Sequence, residues 1–248
     1  MSKYTLIVPI AADTDKMGTE MPYLFGLDSN GLMYCVKSIM GLPLEAFGDI
    51  YFTILRKHNL RYRLIEMMQI QFDRLGISHK TDIYELEKST SSQPETLYRT
   101  VVENHITGAV LFKDADSYFT TEVYPENMLY VFPLDGLQMV NPQNKSYVTI
   151  DDMYYITNII EKKIVSRFFC AGGYGIEDVQ NFVLEYEKLS TLPQLHLSHI
   201  VYSLLLHQVH FRPQIVKEYQ DWGTKEDFKR NYCLLLYTSD AADDLLCV

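Results

Sequence analysis

The chain has 248 residues, a formal net charge of -10 and 47% hydrophobic residues, so it carries enough apolar material for the core of one large domain. The acidic balance excludes a protein that coats nucleic acid through a broad basic face, because that kind of binding neutralises many phosphates at once. No segment has the length and hydropathy of a membrane span, and the first residues lack the pattern of a secretory signal. A cytoplasmic location is therefore predicted.

Short strand-like runs alternate with segments of helical period in the first half, as in parallel strands joined by crossover helices. TLIVPI is strand one, and a helix follows at about residues 32 to 40. DIYFTIL is strand two, followed by a helix over about residues 60 to 75, where apolar residues recur at three- and four-residue steps. TDIYELE is strand three, Pro94 begins a helix that runs to residue 102, and AVLFK is strand four.

The second half is less regular. MLYVFP, SYVTI, YYITNII and RFFCA are predicted strands, some of them antiparallel, and residues 176 to 188 and 197 to 207 are predicted helices. QIVKEY is a late strand before DWGT. The chain shows no internal repeat and no hinge rich in Pro or Gly. A single α/β domain is predicted, with a mixed, mainly parallel central sheet flanked by helices.

The four cysteines and the clustered histidines do not predict a metal or disulfide framework. The cysteines, at positions 35, 170, 233 and 247, show no CxxC spacing. The histidines at positions 196, 199, 207 and 210 fall on and beyond one predicted helix, which spreads them around its surface. Reduced thiols and a polar helix cap are the simpler interpretation.

Two carboxylates leave strand four together in the segment DADSYF. Asp114 and Asp116 are separated by one residue, at the carboxyl end of a strand, where ligands collect in open α/β sheets. Hard oxygen ligands of this kind suit Mg²⁺ that bridges to phosphate oxygens. A loop or helix-capping pair is the alternative that this pattern alone leaves open.

The order of several motifs indicates a family. MPYLF follows strand one, SQPETLYRT precedes strand four, DADSYF ends it, and NPQNKSYV, IIEKK, AGGYG and DWGTKEDF come after. Over about residues 4 to 230 this series resembles the sugar-phosphate nucleotidyltransferase superfamily of GT-A fold, in particular a divergent, polysaccharide-associated branch with KDxDxYF and DWGT motifs. The resemblance implies a Rossmann-like GT-A domain. It also implies Mg²⁺-dependent transfer of a nucleotidyl group from a nucleoside triphosphate to a sugar phosphate or similar phosphorylated polyol. Pyrophosphate is released, and the product supplies surface polysaccharide synthesis.

The resemblance assigns a metal site and an acceptor site to individual residues. Asp116 matches the strand-end aspartate that binds magnesium, and Asp114 is a supporting or alternative ligand. Asp221 of DWGT completes the metal site. Lys162 of IIEKK would contact the phosphate of the sugar phosphate, next to Glu161. A metal and a positioned lysine stabilise the negative charge of phosphoryl transfer without covalent catalysis.

Further substrate-binding residues follow from the same resemblance. Gly172 and Gly173 match a glycine-containing strand that lets the substrate approach the backbone. Gln93 and Glu95 lie in the segment that takes the place of the one contacting the nucleobase. The motifs specify neither the base nor the sugar, and no oligomeric state is predicted.

The loop after strand one departs from the family. AADTDKMGTEMPYLF begins with Ala11 and Ala12, lacks the glycine-rich GxGTR sequence, and has Tyr23 after Pro22 where a lysine is expected. Glycine lets backbone amides close on phosphates, and arginine grips the leaving pyrophosphate. Lys16 is the candidate of this loop for the phosphates, or else a solvated surface lysine. Two alternatives stay open: a GT-A glycosyltransferase using a nucleoside-diphosphate sugar, and a catalytically inactive nucleotide- or sugar-phosphate-binding domain.

The end of the sequence is interpreted separately from the domain. Residues 233 to 248 resemble translated sequencing-adapter read-through, so the nucleotidyltransferase-like domain is assigned to residues 1 to 232. In the similar branch a phosphatase-like domain can follow DWGTxEDF. The natural protein is therefore expected to continue beyond residue 232, where such a domain could have been lost.

Overall fold

A computed structural model describes residues 4–12, 21–136, 142–224, 226 and 228. The strands are β1 (Thr5–Ile10), β2 (Asp49–Leu55), β3 (Thr81–Leu86), β4 (Val110–Lys113), β5 (Ser117–Thr120), β6 (Met128–Pro133), β7 (Ser146–Ile150), β8 (Ile156–Glu161), β9 (Phe168–Ile176), β10 (Arg212–Ile215) and β11 (Lys217–Asp221). The helices are α1 (Tyr34–Lys37), α2 (Arg56–Tyr62), α3 (Leu64–Leu75), α4 (Gln93–Glu103), α5 (Val179–Leu189) and α6 (Leu197–Leu206). The interpretation of Lys16 and of residues 233 to 248 lies outside the described residues.

The main sheet has the strand order β10-β6-β9-β4-β1-β2-β3, and β7 joins it through β9 and carries β8. Along this path β1, β2, β3 and β4 pair in parallel, β10 pairs parallel to β6, and β9 runs antiparallel to both β4 and β6. The predicted α/β class with a mixed, mainly parallel sheet is confirmed. Within the described residues, no helix is long and apolar enough to cross a membrane.

The sheet is covered on both faces, which explains why its central strands read as continuous apolar runs. Successive residues of β1 point to opposite faces. Leu6 packs into a buried cluster that includes Phe72 of α3, whereas Ile7 packs into a second cluster that includes Val101 of α4 and Phe182 of α5. The two hydrophobic layers therefore hold the carboxyl ends of the strands in a fixed arrangement.

Two predicted helices differ from those observed. The helix predicted over residues 60 to 75 is interrupted at Arg63, whose φ of 54° is left-handed, so α2 ends and α3 begins there. The helix predicted over residues 32 to 40 is only the four-residue α1. Gly41 then packs directly on β5, since a Cβ at this position would lie 2.0 Å from the Phe119 carbonyl oxygen. The close contact between the backbones of Gly41 and β5 therefore replaces the helical turns that were predicted beyond α1.

A two-stranded ribbon beside the main sheet was not predicted. The segment QIVKEY divides between β10, which pairs with β6, and β11, which pairs antiparallel with β5. The register places Asp221 at the end of β11 opposite Ser117 at the start of β5. This ribbon brings the DWGT segment next to the DADSYF segment, although about a hundred residues separate them in the sequence.

Candidate functional site

A cleft of about 1050 Å³ opens at the carboxyl ends of β1 and β4. The loop after β1 and the segment that leads into α4 form one wall. The start of β7, the end of β8, the first residues of α6 and the end of β11 form the other wall, and the turn after β4 forms the floor between them. This position agrees with the general rule that open α/β sheets bind ligands beyond the carboxyl ends of their strands.

The floor turn, residues 114 to 117, is held by a buried lysine. Lys113 is fully buried, and its ammonium donates to the carbonyl oxygens of Asp114 at 2.6 Å and Ser117 at 2.7 Å. It also donates to the Ser117 hydroxyl at 2.9 Å, and that hydroxyl donates to the Ala171 carbonyl at 2.9 Å. Burial lowers the pKa of Lys113 to about 8. The lysine fixes the backbone that presents the two aspartates.

Asp114 packs tightly against the backbone of β9. Its amide donates to the Gly172 carbonyl at 2.8 Å, and its carboxylate accepts from the Gln93 side chain at 2.5 Å. Gly172 has a φ of +91°, and a Cβ there would lie 2.9 Å from Asp114 and 2.8 Å from Ser117. Burial, and next the charge of Asp116, raise the pKa of Asp114 to about 6. Glycine is needed at position 172 to admit this carboxylate.

Asp116 and Asp221 converge at the ribbon. The Trp222 amide donates to the Asp116 carbonyl at 2.8 Å, and the Gly223 amide donates to the Asp221 carboxylate at 2.9 Å. A Cβ on Gly223 would lie 3.1 Å from a carboxylate oxygen of Asp221 and 3.3 Å from one of Asp116. Both carboxylates therefore border the same small space.

The donor chemistry at this point suits magnesium. Among the described residues no group of three or more His, Cys, Asp or Glu side chains is arranged to enclose a metal ion. A pair of carboxylates is nevertheless the usual protein share of a Mg²⁺ site, because this ion keeps several waters and takes further oxygens from substrate phosphates. Asp116 and Asp221 are thus the residues that fit the ion predicted from the sequence.

Lys145, at the start of β7, reaches the space that Asp116 and Asp221 border. Its ammonium forms an ion pair with the Asp221 carboxylate and donates to the Tyr219 hydroxyl at 2.9 Å. Burial alone would lower the pKa of Lys145, but Tyr219 and Asp221 raise it above its ordinary value. A fixed positive charge therefore lies beside the carboxylate pair.

Glu161 and Lys162 lie at the end of β8, on the wall that this strand forms with β7, α6 and β11 and that is called the charged wall below. The Glu161 carboxylate accepts from the Ser146 hydroxyl and, at 2.8 Å, from the Ser198 hydroxyl. Burial alone would raise the pKa of Glu161, but these two hydrogen bonds outweigh it and lower the pKa. Lys162 has a left-handed φ of 55°, and its side chain is half exposed. Its ammonium lies 3.7 Å from the Glu161 carboxylate, and the His196 ring lies 3.8 Å from the same carboxylate.

The structure brings most of the predicted site residues into one cleft. They are Ala11, Ala12, Gln93, Asp114, Asp116, Glu161, Lys162, Gly172 and Asp221. Glu95 and Gly173 do not line it. Glu95 accepts from the Ser91 amide and from Arg99, which ties it to the first turn of α4. A Cβ on Gly173 would lie 2.8 Å from the Tyr130 ring, so this glycine accommodates an aromatic side chain instead of a substrate.

Sequence reasoning missed several residues of the cleft. Lys145 stands in the NPQNKSYV motif, but a lysine before a strand ordinarily indicates a solvated residue. His196 and Ser198 come from the beginning of α6, whose place beside β8 cannot be read locally. The run of Ser89, Thr90, Ser91 and Ser92 lines the wall formed by the loop after β1 and the segment that leads into α4, which is called the neutral wall below because its described lining carries no charged side chain. The small hydroxyl side chains of this run were the available signal.

Comparisons with known proteins find likeness in structure only. No protein-family model matches the chain, and no curated protein matches it in sequence. A nucleoside-diphosphate-sugar pyrophosphorylase from Vibrio cholerae RC9 superposes with a TM-score of 0.72 at 15% identity, covering 92% of this chain and 98% of that one. The inositol-1-phosphate CTP transferase from T. maritima gives 0.69 at 13% identity, covering 91% of each chain.

A third structure agrees with these two. A protein described as a glucose-1-phosphate thymidylyltransferase from Bacillus anthracis, solved with sucrose, gives a TM-score of 0.70 at 14% identity and covers 94% of this chain and 95% of its own. At these identities the likeness shows the fold. The α/β fold predicted from the motif order is confirmed, and it extends over nearly the whole length of each of these structures.

Proposed function

We propose that the protein is a Mg²⁺-dependent nucleotidyltransferase that joins a nucleotidyl group to a sugar phosphate or a similar phosphorylated polyol. The observation that carries this proposal is the convergence of Asp116 and Asp221 on one space beside Gly223, within a cleft that also contains Lys145 and Lys162. The shared fold adds support, because all three structural neighbours bear the names of enzymes that join nucleotides to phosphorylated sugars or inositol.

The charges of the cleft explain why a divalent cation is needed. The described lining carries five carboxylates, two lysines and no arginine. A triphosphate entering such a site would meet net negative charge at short range, which is strongly unfavourable where water is partly excluded. Mg²⁺ held by Asp116 and Asp221 would offset this charge and polarise the phosphate that reacts.

The protein groups divide the remaining work between the two walls. Ala11, Ala12 and Gln93 belong to the neutral wall, where the nucleoside would lie. Lys162 would hold the acceptor phosphate, and Glu161, fixed by two serine hydroxyls, would accept hydrogen bonds from acceptor hydroxyls. An acceptor phosphate oxygen then forms a bond to the α-phosphorus of the nucleoside triphosphate. The bond between the α-phosphorus and the oxygen that bridges to the β-phosphorus breaks, and pyrophosphate leaves.

The altered loop after β1 has a structural role in this scheme. Tyr23 occupies the place where the family has a lysine, and its hydroxyl donates to the Trp222 carbonyl at 2.8 Å. The tyrosine thus ties the loop to the chain immediately after Asp221. In the described lining both lysines stand on the other wall.

The assay for this function follows pyrophosphate release from the full chain. Each of a panel of nucleoside triphosphates is combined with each of a panel of sugar 1-phosphates and with inositol 1-phosphate, with Mg²⁺ or with EDTA. We expect release that needs both substrates and the metal. Consumption of a nucleoside-diphosphate sugar without pyrophosphate would instead support a glycosyltransferase. Nucleotide binding without turnover of any pair would support a binding domain, the alternative that the missing arginine favours.

The biological setting of the activity is part of the same proposal. The sequence resembles a divergent, polysaccharide-associated branch, which suggests that the protein supplies sugar nucleotides for surface polysaccharide. The enzyme would act in the cytoplasm, where nucleoside triphosphates are available. Deletion of the gene would then reduce surface polysaccharide, and addition of the sugar nucleotide product to a cell extract would restore its synthesis. An unchanged amount of surface polysaccharide would refute this biological setting without refuting the enzymatic activity.

A further inference from the structure

Lys145 is a charged residue that neither the sequence motifs nor the fold assigns to the reaction. Its side chain is 14% exposed, and that of its partner Asp221 is 8% exposed, so the ion pair is largely removed from water. The side chain also lies near two aromatic rings, with its ammonium 5.6 Å from the centre of Tyr219 and 5.9 Å from that of Phe169. The ammonium is therefore held in one place.

The position of Lys145 connects the acceptor side of the cleft with the metal side. Its backbone carbonyl accepts from the Lys162 amide at 2.9 Å, whereas its ammonium contacts Asp221. An ammonium carries three N–H donors. Within the described chain, Asp221 and the Tyr219 hydroxyl accept two of them, which leaves one for an oxygen of a bound ligand.

We propose that Lys145 is a built-in cation of the phosphate site, which holds Asp221 when no nucleotide is bound and donates to a phosphate oxygen when the nucleotide enters. This role rests on the proposed function and adds a residue to it. The described part of the loop after β1 brings no lysine or arginine into the lining, whereas the start of β7 brings Lys145. Lys145 is a positioning residue for Asp221 and a direct contact for the polyphosphate.

The role makes two affinities change in opposite directions when the charge is removed. Without nucleotide, Lys145 competes with a metal ion for the carboxylate of Asp221, so its loss should strengthen metal binding. With a metal-bound triphosphate, the same loss removes a charged donor and should weaken binding. A lysine that only stabilises the fold would not produce this reversal of sign.

The test compares Lys145→Gln with Lys145→Arg, and uses Tyr219→Phe as the matched control that removes a neutral contact of the same ammonium. Mn²⁺ binding is measured by electron paramagnetic resonance without nucleotide. Binding of Mg²⁺ complexes of α,β-methylene triphosphate analogues is measured by calorimetry. Thermal unfolding of each variant confirms that it is folded, and Lys145→Met replaces Lys145→Gln if the latter is not.

We expect Lys145→Gln to bind Mn²⁺ roughly threefold more tightly, the scale of a lost competing ion pair. It should bind the best triphosphate analogue about tenfold or more weakly, the scale of a lost charged hydrogen bond. Lys145→Arg and Tyr219→Phe keep the positive charge at this place, so neither should bind Mn²⁺ more tightly than the unsubstituted protein, and their binding of the triphosphate analogue should stay within about threefold of it.

Two results would overturn the role of Lys145. If both affinities of Lys145→Gln weaken together, the lysine supports the fold, and if neither changes, it does not contact the ligand. These results differ from failure of the proposed function. In that case the unsubstituted protein would bind Mn²⁺ but none of the triphosphate analogues, and the phosphate contact would be refuted with it.

Discussion

The two walls of the cleft differ in charge and in the way they are held. The neutral wall presents small or uncharged side chains, from Ala11 and Ala12 to Gln93. The opposite wall presents Lys162, Glu161 and the ion pair of Lys145 with Asp221. Under the proposed function, the uncharged wall would accommodate a nucleoside and the charged wall would bind the phosphates and the acceptor.

The charged wall is held by contacts among its own residues. Asp221 is held by Lys145 and by the Gly223 amide, and Glu161 is held by the Ser146 and Ser198 hydroxyls. Groups that are fixed before the reaction need not reorganise while charge develops, which is the main source of electrostatic catalysis. Substitutions in the two walls should therefore have separable effects, provided that the protein is active as proposed.

The largest effect is expected from the carboxylate pair. Asp116→Asn and Asp221→Asn should each lower kcat/KM for pyrophosphate release by about 100-fold or more, because each removes an anionic metal ligand and leaves the side-chain volume unchanged. Steady-state kinetics over a range of Mg²⁺ concentrations measures this. Asp82→Asn, at an exposed position of β3, is the matched control and should retain full activity.

The floor of the cleft should be sensitive to a single methyl group. Gly172→Ala is expected to lower the free energy of unfolding by about 2–3 kcal/mol, because it adds a left-handed alanine and a clash with Asp114 and Ser117. Gly31 also has a positive φ, of 75°, but no atom lies within 4 Å of its Cβ position, so Gly31→Ala should cost only about 1 kcal/mol. Urea unfolding of both variants separates strain from crowding, and equal losses would refute the packing argument.

Lys162 should act on the acceptor alone. Lys162→Ala is expected to raise KM for the sugar phosphate about tenfold, since a charged hydrogen bond to phosphate is lost, and to leave KM for the nucleotide unchanged. The exposed neighbour Lys163 offers a control with the same charge change. If Lys163→Ala has the same effect as Lys162→Ala, the contribution of Lys162 is only general electrostatic attraction.

The neutral wall should show the reverse selectivity. Ala12 is exposed in the cleft, so Ala12→Trp should obstruct the nucleoside and raise KM for the nucleotide by roughly tenfold. KM for the sugar phosphate should stay the same, and Ala12→Ser should behave like the unsubstituted protein. A larger change in the acceptor KM than in the nucleotide KM would reverse the assignment of the walls.

The pH dependence of stability should report the ionisation of Asp114. Because the pKa of Asp114 is raised from 3.8 to about 6 in the folded protein, its contribution to stability is present below about pH 4 and is lost as the pH rises through about 6. Asp114→Asn removes the titrating carboxyl group and with it the loss of stability at higher pH. The difference in unfolding free energy between variant and unsubstituted protein should therefore increase in favour of the variant by about 2 kcal/mol from pH 4 to pH 7.5, measured by urea unfolding. A difference independent of pH would contradict the shifted pKa.

The first half of the fold could be predicted because its signals are local. β1 to β4 are short apolar runs between helical segments, and Pro94 in the first turn of α4 marked the beginning of that helix. The carboxyl end of β4 placed Asp114 and Asp116 at the cleft by topology alone. Ser92 caps α4 by accepting from the Glu95 amide, which is why Glu95 belongs to the helix start and not to the cleft.

The rest of the site depends on long-range pairing that local pattern does not encode. β5 and β11 are short, and in the described chain they form a two-stranded sheet with each other. Because they are far apart in the sequence, neither could be recognised without the other. Lys145 is buried only because Tyr219 and Asp221 arrive on β11. The motif order could indicate that Asp116 and Asp221 meet, but not that Lys145 would form an ion pair with Asp221.

The account is tested most directly by locating a metal ion in crystals of the full chain soaked with Mn²⁺ and a non-hydrolysable nucleoside triphosphate. An anomalous peak is expected within coordination distance of carboxylate oxygens of both Asp116 and Asp221, with a phosphate oxygen of the triphosphate as a further ligand. A triphosphate bound in the cleft with its ion away from both aspartates, or a cleft that takes up neither ion nor nucleotide, would contradict it.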